Sequence, residues 1–115
     1  MDAYRPAPPQ IEGFVMFFVV FCTDKAGFED VRSRARPEHR QHLRNPGHHP
    51  VQVRIGGPTH RADGVMNGTM LVVEAEKESH VHAFLADDPY IRAEIFDHVC
   101  VRPWTWGLGA PEQSS

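Results

Sequence analysis

Cysteine is scarce in this chain, as are excess positive charge and any apolar run long enough to cross a bilayer. Cys22 and Cys100 are too few for a disulfide framework and show no CxxC spacing. Both lie in apolar, strand-like runs and read as small buried hydrophobes. The formal charge is −3, so no broadly basic face is expected to meet nucleic acid, whose phosphates require one. The longest apolar run, Phe14 to Cys22, is about half of the ~20 residues that a membrane-spanning helix needs, and no membrane association is expected. Asp2 and Glu12 offset Arg5 ahead of that run, and Asp24-Lys25 follow where a signal peptidase requires small residues. The default expectation is therefore a cytoplasmic protein. The GxSxG nucleophile elbow is missing, and Gly56-Gly57-Pro58 ends a strand-like run without leading into a phosphate-binding helix.

What is present suits one folded domain. Of 115 residues, 41% are hydrophobic and 23% charged, an ordinary globular balance. Residues 1–13, with Pro6, Pro8 and Pro9, and residues 108–115 read as polar tails flanking a domain over 14–107.

Phe14 to Cys22 is β-branched and aromatic and apolar at both parities, the pattern of a strand buried on both faces. A domain this small covers one sheet face with its own helices. A second copy of the sheet is the simplest cover for the other. After Asp24-Lys25 a helical stretch is expected to be split by Pro37, with Ala35, His39 and Leu43 sharing one face and Asn45-Pro46-Gly47 ending it. Val51, Val53 and Ile55 alternate in a strand that should end at Gly56-Gly57-Pro58. A loop over 59–67 then leads to a strand at 69–75. Val81, Phe84 and Leu85 form the stripe of a helix starting near Lys77, and Asp88 continues that stripe. Pro89 opens a further turn carrying Ile91, Ile95 and Phe96, and Val99 to Trp104 is the last strand. The order is βαββαβ, the split arrangement of α+β ferredoxin-like folds with an antiparallel sheet.

Five of the eight histidines, His39, His42, His48, His49 and His60, fall between the first helix and the loop after the second strand. They show no HExxH and no recognisable third ligand, so solvated histidines are preferred to a metal centre, and neither a metal nor a cofactor is expected. Arg32, Arg34, Arg36, Arg40 and Arg44 read as a solvated helical face or as an anion-attracting rim. His39 on an inward face beside a carboxylate suits general acid/base work. Set against that reading, His39 is a hydrogen-bonded core histidine and Asp88 an N-cap before proline.

An ordered set of short motifs extends the case. Asp24-Lys25 follows the apolar first strand; then come Arg36-Pro37-Glu38-His39, Gly56-Gly57-Pro58, Gly68-Thr69, Ala86-Asp87-Asp88-Pro89-Tyr90 and a closing Val99, Val101, Pro103. Over about residues 14–107 this set resembles the YCII (YciI-like) family. The resemblance implies a ferredoxin-like domain, similar to muconolactone isomerase, that dimerises through its sheet as a dimeric α+β barrel. It implies His39 and Asp88 as a presumed catalytic pair, with Arg36, Gly57, Pro58, Thr69 and Tyr90 as substrate-binding positions. A family relative that acts as a dehydrochlorinase in chloroaromatic breakdown implies lyase or isomerase chemistry on a small anionic or cyclic compound without a cofactor. The alternative is a non-catalytic ligand-binding or structural dimer. The chain departs from relatives at Arg44 to Pro50, which lacks their longer aliphatic helix end, and in a short 59–67 loop.

Overall fold

Alternating apolar residues along the central strands set the architecture. Phe18, Val20 and Cys22 from one strand and Leu71, Val73 and Ala75 from its neighbour point to the same side. There they meet Val81, Phe84 and Leu85 of a covering helix. The computed structural model describes residues 15–111, so the tail expected over 1–13, Phe14 and residues 112–115 lie outside the described residues. In chain order the elements are β1 (Met16–Asp24), α1 (Glu29–Arg44), β2 (Val51–His60), β3 (Met66–Ala75), α2 (Glu78–Ala86), α3 (Pro89–Arg92) and β4 (Phe96–Trp104). The four strands form one sheet in the order β2-β3-β1-β4 with every neighbour antiparallel. This is an α+β ferredoxin-like fold.

Four expectations from the sequence are corrected. Pro37 does not split α1, which runs unbroken from Glu29 to Arg44 with the proline inside it. A mid-helix proline forfeits one backbone hydrogen bond and costs about 3 kcal/mol. The helix tolerates it because Arg32 and His39, its two buried residues, anchor it on either side of the break. Strand β2 does not end at Gly56-Gly57-Pro58 but pairs with β3 through His60, so the expected 59–67 loop contracts to a short turn.

The third correction is Ile55. A register shift between Val53 and Ile55 puts Val53 opposite Val73 but Ile55 opposite Val72, which turns Ile55 to the far face. Gly56 then faces inward, where a Cβ would lie 2.6 Å from Leu71 Cδ2. Finally, Phe96 begins β4 rather than closing a helical turn, because α3 stops at Arg92.

Candidate active site

Helix α1 crosses the sheet with Arg32 and His39 seven residues apart on its buried face, and Arg36, Arg40 and Arg44 follow Arg32 at four-residue steps. These side chains border a cleft of about 720 Å³ between α1 and β2. The five positions singled out from the sequence as substrate-binding, Arg36, Gly57, Pro58, Thr69 and Tyr90, all line it, as does His39.

Asp88 lies behind His39, 2% exposed. It precedes Pro89 and caps α3, accepting the Tyr90 backbone N–H on Oδ1 at 2.9 Å. The same oxygen lies 2.8 Å from His39 Nδ1. A carboxylate only accepts, so Nδ1 carries the proton it donates there, and in the neutral ring Nε2 keeps its lone pair. Nε2 has no hydrogen-bond partner among the described residues and is not among the polar atoms sealed from solvent. The cap and the histidine partner are thus one carboxylate in two roles. The imidazole stacks on Tyr90 at 3.7 Å between ring centroids, 10° from parallel. Burial raises the Tyr90 phenol above its ordinary pKa, against the lowering pull of Arg32 and Arg36.

Under this stack sits a residue that the sequence assigns, with its neighbouring arginines, to a solvated face or an anion-attracting rim. Arg32 is 4% exposed. Its guanidinium donates to Asp24 Oδ2 at 2.7 Å and Oδ1 at 3.2 Å, to the Gly68 carbonyl at 2.7 Å and to Thr69 Oγ1 at 2.7 Å. It also lies 4.7 Å from the centre of the Tyr90 ring. Its position seven residues before His39 was the available signal, because that spacing returns to the same helix face. Cys22 is buried nearby, and burial, reinforced by the negative charges of Asp88 and Asp24, pushes its thiol up to about 12. Such a thiol is no nucleophile near neutrality.

The remaining histidines divide. His42 donates from Nε2 to the Phe84 carbonyl at 2.9 Å and stacks on the Phe84 ring, fastening α1 to α2. His48, His49 and Asp87 form a separate group whose ligating atoms lie within 4.8 Å of one another. No helix among the described residues is long and apolar enough to cross a membrane.

Comparison with known proteins agrees with this fold. The chain is 27% identical over 95 residues to Protein YciI of Escherichia coli O6:H1, covering 77% of this chain and 96% of that protein, and matches Protein YciI of Shigella flexneri to the same extent. It is 30% identical to the solved 5-chloro-2-hydroxyhydroquinone dehydrochlorinase (TftG) from Burkholderia phenoliruptrix in complex with 2,5-dihydroxybenzoquinone. That match covers 78% of this chain and 94% of the other, with a TM-score of 0.66. A family model described as the YCII-related domain matches residues 16–105, and the chain belongs to that family.

Proposed function

We propose that the cleft is the active site of a cofactor-independent enzyme acting on a small anionic ring compound, with His39 as general base and acid and Asp88 as the residue that orients it. The observation that carries this reading is the His39–Asp88 hydrogen bond, which ties Nδ1 down and leaves Nε2 available on a cleft-lining ring. Arg36, Arg40 and Arg44 line the cleft and form no ion pair among the described residues, which favours an anion. Isomerisation moves one proton between two positions of the substrate. Dehydrochlorination delivers one proton to the base and releases one chloride. Neither needs a redox partner, and the likeness to TftG supports chemistry of this class.

The assembly belongs to the same reading. The sheet face away from the helices carries Phe17, Val19, Phe21, Met70 and Ile55, of which Phe21 is 52% and Ile55 47% exposed. Soluble monomers seldom leave such a patch open, so a second copy covers it and the protein is a homodimer. Both cysteines are free thiols, in keeping with the cytoplasm.

The test is turnover of chlorinated and unchlorinated hydroxyhydroquinones, with chloride release and ring absorbance followed together. His39→Ala should lower kcat by roughly 10²–10⁴-fold. It also takes a partner from the buried Asp88 carboxylate and so should lower the thermal midpoint. Turnover is therefore compared at a temperature where circular dichroism shows the variant folded. Asp88→Asn should lower kcat as well, with added loss of stability from the weakened cap. Tight ring-anion binding with no turnover by the wild type would favour a binding protein and overturn the enzymatic reading.

A further inference from the structure

A second group of side chains, His48, His49 and Asp87, lies outside the lining of the cleft and is not used by the proposed reaction. His48 and His49 sit in the loop between α1 and β2, and Asp87 is the C-cap of α2. They are far apart in sequence, which is why no ligand spacing was legible there. The fold closes His49 Nε2 to 2.7 Å from Asp87 Oδ2, and the three potential ligand atoms fall within 4.8 Å of one another. The His48 and His49 rings are 4.2 Å apart between centroids and tilted by 34°, so they do not block each other by flat stacking.

The geometry points to a divalent transition-metal site, of the zinc class, formed by His48, His49 and Asp87. Two imidazoles and one carboxylate suit Zn²⁺ and its neighbours rather than Ca²⁺ or Mg²⁺, which require an oxygen shell. Ligand atoms about 2.0–2.1 Å from a tetrahedral ion stand roughly 3.3 Å apart. The His49–Asp87 contact must therefore open slightly, and the remaining separations, all within 4.8 Å, must close by at most about 1.5 Å. His48 is exposed and turns without disturbing the core.

The ion takes the place of the proton now shared between His49 Nε2 and Asp87 Oδ2. That proton moves to His49 Nδ1 or leaves to solvent, so charge and atoms balance. Arg92 donates to the other carboxylate oxygen of Asp87 at 2.7 Å, which fixes the carboxylate while keeping one positive charge near the ion. Three protein ligands leave a fourth position for water. His49 also borders a cavity of about 330 Å³ that it shares with His80, whose buried Nδ1 has no partner, and this cavity gives an approach to the site. The bound ion would tie the α1–β2 loop to the turn that carries Asp88, one residue beyond Asp87.

The experiment uses the full untagged chain, stripped with chelator and titrated with Zn²⁺ by calorimetry and with Co²⁺ by visible absorption. One equivalent should bind, with the intense absorption of a four-coordinate Co²⁺ centre, and Zn²⁺ should raise the thermal midpoint. His48→Ala, exposed and safe for folding, and Asp87→Asn should each weaken binding by at least the roughly 10–100-fold that loss of an outer partner costs. His82→Ala, a surface histidine paired with Glu78, and His39→Ala should bind as the wild type does, which separates this site from the proposed reaction. Binding that survives His48→Ala, or falls equally with His82→Ala, would mean adventitious capture by surface imidazoles and would overturn the assignment.

Discussion

Replacing Arg32 by methionine removes the one guanidinium buried beneath the site while keeping most of the side-chain volume. In the wild type the side chains of Arg32 and Asp24 are 5% and 7% exposed, and the Asp24 carboxylate receives two of the arginine's hydrogen bonds. Arg32→Met strands that carboxylate and takes the donor away from the Gly68 carbonyl and Thr69 Oγ1. Breaking one half of a buried ion pair costs about 3–5 kcal/mol. For a domain of this size that is a fall of roughly 15–30 °C in Tm. Asp24→Asn should cost less, because Arg32 retains Gly68, Thr69 and the Tyr90 ring. The double variant should be more stable than the sum of the singles predicts, by about 1–3 kcal/mol, since no charge is then left without a partner. Urea unfolding followed by circular dichroism, with midpoint and slope fitted for all four proteins, measures the cycle. A single Arg32→Met cost below about 1 kcal/mol, or strict additivity, would refute the coupled buried charge described here.

Gly68→Ala should destabilise more than Gly56→Ala in the same assay. A Cβ at Gly68 runs into the backbone carbonyl of Cys22, whereas at Gly56 it meets only the movable end of Leu71, an overpacking cost of about 1–3 kcal/mol. Alkaline pH should weaken the fold in a defined window. With the Cys22 thiol pushed up to about 12, the unfolded chain loses that proton first. Its contribution is whole below about pH 9 and is lost as pH rises toward 12. Tyr90, also raised, acts in the same direction at higher pH. Urea midpoints for Cys22→Ala should therefore fall less steeply between about pH 8 and 11 than those of the wild type. Phe21→Glu, on the sheet face without helices, should convert the dimer to monomer in light scattering at micromolar concentration. A wild-type protein already monomeric there would refute the sheet-to-sheet assembly.

Local pattern alone was enough to specify the order of the elements. The double-parity apolar run of β1, the Val81, Phe84, Leu85 stripe of α2 and the Asp-Pro start of α3 each depend on neighbours within a few residues, where period and propensity act directly. The inward aim of His39 was legible for the same reason, since it continues the apolar face of α1, whereas Asp88 lies beyond the end of α2 and is turned inward as the N-cap of α3. Tertiary packing decided the rest. It kept α1 continuous through Pro37, with Arg32 and His39 buried on both sides of it. It carried β2 past Gly56-Gly57-Pro58 because β3 offered backbone partners as far as His60. Arg32 shows the division most sharply. Its chemistry belongs on a surface, and only the carboxylate of Asp24 at the end of β1, with the carbonyl of Gly68 and the hydroxyl of Thr69 on the paired strand β3, offset its desolvation in the core. His49 and Asp87 likewise meet only because α2 packs beside the α1–β2 loop, a closeness that no spacing along the chain encodes.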